Sequence, residues 1–142
     1  MDDACPFCAI ATGATPASVI LDDDKVLAFM DWRQAVPGHV LVIPRRHVPD
    51  IYALADNEAA AVMQAAVRVA RALRAAYDPP GLNLWQSNGE AGGQEVFHFH
   101  LHVHPRRVDD GLLRVYPEGV PPQSDADQRA AIARTLKARL DH

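Results

Sequence analysis

Apolar residues recur along this chain with two different periods. Between residues 56 and 77, Val62, Ala66, Val69, Leu73 and Ala76 fall three and four apart, which places them on one face of an α-helix. Asp56 offers an N-cap and Pro79-Pro80 end the helix near Tyr77. Arg68, Arg71 and Arg74 lie largely off the stripe and make a solvated face. Elsewhere the pattern is one of short β-prone runs. Residues 18–21 and 25–30 flank Asp22-Asp23-Asp24, a polar stretch suited to a hairpin turn. Val36-Pro37-Gly38-His39 has Pro before Gly, the order a type II turn takes, and feeds a strand over 39–43 that Pro44 stops. Further strands are expected over 82–87 and 96–104. Residues 105–123, with Pro, Gly and paired charges, suit an ordered loop or a short edge element. Ser124, with Asp125 and Asp127 in the first turn, opens a last helix with Ile132, Leu136 and Leu140 as its apolar face. Strands joined by tight turns, with one long helix inserted, predict an α+β domain on an antiparallel sheet.

Composition narrows the class. A chain of 142 residues suits a single domain spanning 1–142 and buries enough surface to need no disulfide scaffold. Hydrophobic residues at 49% and charged ones at 23% are those of an ordinary soluble protein. Lys and Arg total 14 against 18 acids, for a net charge of −4. That balance disfavours a nucleic-acid polymer as partner, but leaves room for a small phosphorylated ligand met by local groups. The opening, Met1-Asp2-Asp3-Ala4-Cys5, is acidic and lacks the apolar stretch of a secretory signal. No window approaches the roughly 20 apolar residues of a membrane span. A cytoplasmic location without membrane attachment is expected.

The chemistry concentrates in one strand. His98, His100, His102 and His104 alternate with Phe97, Phe99, Leu101 and Val103. Strand side chains alternate faces, so four imidazoles share one face and four apolar groups the other. A merely solvated face would mix Thr, Lys and Glu; four groups titrating near neutrality point to handling of protons, phosphates or metals. Just upstream, residues 88–94 read Asn-Gly-Glu-Ala-Gly-Gly-Gln. Its glycines would let backbone N–H groups approach an anion. This loop runs into a strand rather than a helix, so it is neither a P-loop nor a dinucleotide fingerprint. Cys5 and Cys8 have metal-ligand spacing, and His47 and His98 could complete a tetrahedral site. A redox pair or two idle thiols are the alternatives, although no βαβ setting for a thioredoxin-type site is evident.

Residues 93–103, Gly-Gln-Glu-Val-Phe-His-Phe-His-Leu-His-Val, resemble the histidine-triad (HIT) motif. Residues 31–43, with Pro37-Gly38-His39 opening a strand, resemble the family's earlier signature, and Cys5-Pro6-Phe7-Cys8 with Arg46-His47 match its zinc-carrying, Hint-like bacterial branch. The resemblance covers roughly 5–106 and little of 107–142. It implies a HIT-like fold of about five antiparallel strands, one long helix and a C-terminal helix. It further implies a hydrolase or nucleotidyl transferase acting on purine nucleotide phosphoramidates or dinucleoside polyphosphates. His100 would attack the α-phosphorus to form a nucleotidyl-histidine that passes to water. His102 would contact the phosphate and assist the leaving group, and His39 would hold the triad's hydrogen-bond network. Gly93, Gln94 and Asn88 would meet phosphate or ribose, Asp31 would accept the ribose hydroxyls, and Trp32 would cover the base or serve the core. Cys5, Cys8, His47 and His98 would hold a structural zinc, with no catalytic metal. The ligand would be AMP or a nucleotide conjugate, and the chain would pair as a homodimer through the long helix and a strand.

Two positions depart from the family pattern. Glu95 stands where members that cleave phosphoramidates carry Ser or Thr, and an ionised carboxylate there donates no proton and repels phosphate. His104 replaces an aliphatic residue and is expected to be structural or exposed. Two other classes compete. His-x-His on a strand also holds catalytic zinc in metal-dependent hydrolases, and a nucleotide-binding or interaction protein with vestigial catalysis would keep the same fold.

Overall fold

The computed structural model describes residues 4–140. The chain up to Asp110 forms one compact unit, and the chain from Gly111 onward forms another. In the first unit, five strands form one sheet: β1 (Val19–Asp22), β2 (Val26–Met30), β3 (Val40–Pro44), β4 (Gly81–Trp85) and β5 (Leu101–Arg106). Their order is β1-β2-β3-β5-β4 and every neighbouring pair is antiparallel. The expected α+β class and antiparallel five-stranded sheet are therefore present, with a long helix α2 (Asp56–Tyr77) and a C-terminal helix.

The inner strands β2 and β3 read as unbroken apolar runs because both of their faces are covered. Val26, Ala28, Val40 and Val42 pack with Val62, Ala65, Ala66, Val69 and Leu73 of α2, together with Phe99, Leu101 and Val103. Leu27, Phe29, Leu41 and Ile43 point to the opposite face, where they meet Cys5, Phe7, Cys8 and Ile10. Those four belong to the N-terminal segment that carries a short helix α1 (Pro6–Ala11). Sequence periodicity does not reveal α1: six residues are too few to show a period, and Pro6 at its first position is the main local sign. The α2 stripe differs from expectation at two positions, and its cap at one. Ala65 joins it and Ala76 is exposed. Ala55, not Asp56, occupies the cap position, and Glu58 supplies the bond by accepting the Ala55 N–H at 3.0 Å.

Two features position the site. Gly38 adopts φ +115°, and a Cβ there would lie 2.8 Å from Leu73 Cδ2 and 3.0 Å from Pro105 Cγ. Only glycine lets the turn before β3 pass so close beneath α2. The second feature corrects the expected strand over 96–104, because regular pairing starts at Leu101. Before it the chain is held by other bonds: the Phe99 N–H donates to the Val48 carbonyl at 2.7 Å and His98 Nε2 to the Pro44 carbonyl at 2.8 Å. Phe97, expected on the apolar face of this strand, is exposed.

In the second unit, α3 (Ala126–Lys137) is capped by Asp125, whose side chain accepts from the Gln128 N–H at 3.3 Å, one residue later than expected. Ile132, Leu136 and Leu140 are exposed. Among the described residues, no helix is long and apolar enough to cross a membrane.

Candidate functional site

The sheet register brings the imidazoles together. In β5, His102 stands opposite Leu41 of β3 and Trp85 of β4, so all three point to the face that α1 partly covers. The Trp85 indole stacks on His102 with centroids 4.2 Å apart and planes 9° off parallel. His39, one residue before β3, completes the group: its Nε2 lies 2.9 Å from His102 Nδ1, and the two share one hydrogen. His104 is buried behind them, its Nδ1–H donating to the Pro105 carbonyl and its ring 4.4 Å from His39. Its role here is packing, one of the two outcomes expected of it. His100 is also buried, its ring 5.0 Å from that of His102 and edge-on to Phe7 of α1 at 5.0 Å. His100 Nδ1–H donates to the His98 carbonyl at 2.8 Å. That bond fixes the tautomer and leaves the Nε2 lone pair available.

Burial favours the neutral form of His39, His100 and His102. It lowers His39 and His100 from the ordinary imidazole value, although the carboxylate of Asp31 pulls both the other way. His102 is pushed down to about 3 by burial first and by the neighbouring imidazoles second.

Phe7, whose ring packs on His100, also lines a cavity of about 130 Å³ together with Ile10, Phe29, Leu41 and Val96, with Asp31, Trp32 and Arg33 at its polar end. Asp31 Oδ2 stands 3.9 Å from His39 Nε2, while Oδ1 accepts the Arg33 N–H at 2.7 Å. Trp32 is 79% exposed, so it serves no core. Gln34 closes the turn that holds these residues. Its amide donates to the Asp31 and His39 carbonyls and its oxygen accepts from the Gly38 and His39 N–H groups.

The glycine-rich loop is bound to itself. The Gly93 N–H donates to the Glu90 carbonyl at 2.9 Å, and the Gln94 N–H to the Gly89 carbonyl at 3.1 Å. The Gln94 amide is buried and donates to the Pro49 and Val96 carbonyls while accepting from the Gly89 N–H. Asn88 accepts the Ile51 N–H at 2.8 Å and exchanges bonds with Gln86. The family resemblance assigns Asn88, Gly93 and Gln94 to phosphate or ribose; the bonds above also give each one a part in shaping the loop. Glu95 follows, paired with Arg33 at 3.0 Å.

A second cluster lies behind His100. The ligating atoms of Cys5, Cys8, His47 and His98 all fall within 4.8 Å of one another. His98 Nδ1 is 3.5 Å from Cys5 Sγ and 3.6 Å from Cys8 Sγ, and His47 Nδ1 is 3.3 Å from Cys8 Sγ. Sulfur and nitrogen ligands of one tetrahedral zinc stand about 3.5 Å apart. The His98 Nε2–H is committed to Pro44, so its Nδ1 lone pair faces the sulfurs, as a metal ligand held by an outer hydrogen bond requires. The four residues therefore fit zinc. Asp31, His39 and His102 also converge within 4.8 Å. At 2.9 Å, however, the two imidazole nitrogens are closer than the roughly 3.3 Å of two nitrogens on one zinc. They form a hydrogen bond instead.

Sequence reasoning does not single out Trp85, Phe7, Gln34 or Arg33. The first two act only through strand register and the packing of α1. Gln34 and Arg33 carry no period, and Arg33 meets a partner 62 positions away.

The arrangement has relatives. The HIT domain matches residues 12–109. "Protein hit" of Bacillus subtilis is 43% identical over 102 residues, covering 72% of this chain and 70% of the relative. Adenylylsulfatase HINT3 of Arabidopsis thaliana is 32% identical over 112 residues, covering 79% of this chain and 57% of the relative. The crystal structure of a Zn-bound histidine triad family protein from Mycobacterium smegmatis superposes with a TM-score of 0.72 at 35% identity, covering 96% of this chain and 98% of that one. A domain match over most of the chain, together with these identities, shows that the chain belongs to the HIT family.

Proposed function

We propose that this protein is a nucleotide hydrolase acting at an α-phosphorus through a covalent nucleotidyl-histidine on His100. One observation carries the reading: His100 is buried, which favours its neutral form, held in the tautomer that leaves Nε2 unprotonated, and packed on Phe7 of an apolar cavity with a carboxylate at its polar end. An apolar cavity wall suits a purine base, and Asp31 suits ribose hydroxyls as an acceptor. Trp32 covers the base from the rim. The kinship with an adenylylsulfatase supports the hydrolase class.

In the first step His100 Nε2 forms a bond to phosphorus while the bond to the leaving group breaks. His102, with its Nδ1 bonded to His39, keeps its proton on Nε2 and donates a hydrogen bond from it to a phosphate oxygen or the leaving atom, and the leaving group takes its proton from solvent water. Water then attacks the phosphorus, releasing the nucleoside monophosphate and restoring the free imidazole. Asn88, Gly93 and Gln94 set the backbone shape at the phosphate end. Cys5, Cys8, His47 and His98 would hold a zinc ion, and four protein ligands close its coordination, so the metal supplies a cross-link between α1 and the histidine strand rather than an activated water. The chain acts as a homodimer. β4 is an edge strand, and its exposed Leu84 shares a shallow groove with Val67 and Ala70 of α2. Cytoplasmic residence agrees with two free cysteines kept as metal ligands.

Turnover of an adenosine phosphoramidate and a dinucleoside polyphosphate tests the reading. Wild type should release AMP from at least one, and His100→Ala should lose roughly a thousandfold or more in kcat while still binding AMP. Ordinary turnover by His100→Ala would overturn it.

A further inference from the structure

The mouth of the apolar cavity carries an ion pair that the hydrolytic steps do not use. Arg33 Nη2 donates to Glu95 Oε2 at 3.0 Å, and the two side chains are 80% and 71% exposed. Each stem starts from a fixed point. The Arg33 N–H is tied to the Asp31 carboxylate, and Glu95 sits between the anchored Gln94 and the cavity-lining Val96. The pair therefore joins the two segments that flank the opening. Among the residues lining the cavity, Arg33 is the only cation. Its neighbours are the carboxylates of Asp31 and Glu95 and the imidazoles that burial keeps neutral. A substrate that brings phosphates to His100 thus adds negative charge where two carboxylates already stand. An exposed ion pair between two long side chains is weakly held. A phosphate group carries more charge and several oxygens that match the guanidinium fork.

We propose that Arg33 is a specificity-determining residue: its guanidinium leaves Glu95 for the phosphate oxygens of the leaving group, so substrates departing as phosphate or nucleotide are favoured over those departing as neutral amines. The proposal rests on the nucleotide-hydrolase reading of the same site. Glu95 holds Arg33 over the mouth before substrate arrives and competes for it afterwards. Removing either partner then has opposite consequences. Losing Arg33 removes the attraction, while losing the Glu95 charge frees Arg33 and removes a repulsion. A simple strap across the mouth would respond alike to both changes.

The test is kcat/KM for diadenosine tetraphosphate and for an adenosine phosphoramidate, measured on wild type, Arg33→Gln, Arg33→Lys and Glu95→Gln. Arg33→Gln should lower the polyphosphate-to-phosphoramidate ratio about tenfold, the worth of one accessible charge-assisted contact. Arg33→Lys should recover part of that loss, and Glu95→Gln should hold or raise the ratio. The salt dependence of polyphosphate cleavage should weaken in Arg33→Gln. A ratio unchanged within twofold in Arg33→Gln, or one that falls alike in Arg33→Gln and Glu95→Gln, would overturn the proposal and leave the hydrolase reading intact. Failure of wild type to cleave either compound would overturn that reading, and the proposal with it.

Discussion

At Gly38 a single missing side chain allows His39 to stand where it does. The positive φ and the 2.8 Å approach to Leu73 make any Cβ both strained and crowded. Gly38→Ala should cost about 2–4 kcal/mol, the sum of a left-handed penalty and overpacking. Thermal melting should fall by roughly 10 °C, and an unchanged melt would show that the turn relaxes freely. His100 makes a prediction of its own. Burial lowers its pKa, so the attacking lone pair persists below about pH 6.5, where a free imidazole is already half protonated. The kcat/KM profile should hold its plateau past that point and decline only in more acidic solution. A decline centred at or above pH 7 would mean that the nucleophile is not this buried ring.

Among the elements, α1 has the greatest leverage for its length. Cys5 and Cys8 bracket Pro6 and Phe7, and the Phe7 ring meets Phe29 at 5.4 Å, His98 at 6.0 Å and His100 at 5.0 Å. The cysteine pair and the cavity wall thus share one turn, and His100 packs against it. Cys8→Ser should release zinc, lower stability by about 2–4 kcal/mol and raise the KM for nucleotide more than it lowers kcat, because the wall moves before the histidines do. Metal analysis beside melting and kinetics checks this. Wild type without zinc, or complete loss of turnover with an unchanged melt, would contradict it. The same element marks where sequence reading stops. Alternation of His98, His100 and His102 with Phe99, Leu101 and Val103 reveals the shared imidazole face even though regular pairing starts only at Leu101. Alternation describes extended backbone, and here His98 and Phe99 bond to the Pro44 and Val48 carbonyls instead of entering a ladder. The stripe of α2 is equally legible, since long helices repeat their pattern several times. The six residues of α1, the stack of Trp85 on His102 and the Arg33–Glu95 pair leave no periodic trace. Each depends on where distant segments come to rest.

For the whole molecule, acid and association are the informative variables. His39 and His102 are neutral when folded, His102 down to a pKa of about 3, whereas the unfolded chain takes up protons near pH 6.5. Stability is therefore full above about pH 6.5 and is lost as pH falls toward 3. Glu58, held below the usual carboxylate range by Arg46, and Asp23, held there by the Val26 N–H, add to the loss at the acidic end. The melting temperature should drop steadily between pH 7 and pH 4.5, and a flat profile would show that the imidazoles reach solvent. The proposed dimer through α2 and the β4 edge predicts that Val67→Glu with Leu84→Glu yields a folded monomer by light scattering. A dimer that survived both changes would place the contact elsewhere.

The proposed reaction turns on a bond between His100 and phosphorus. Wild type mixed with excess adenosine phosphoramidate and quenched in alkali within milliseconds should carry one adenylyl group. Peptide mapping should place it on His100 as an acid-labile, base-stable adduct, absent from His100→Ala. Single turnovers that release AMP with no adduct at any time, or an adduct on another residue, would contradict it.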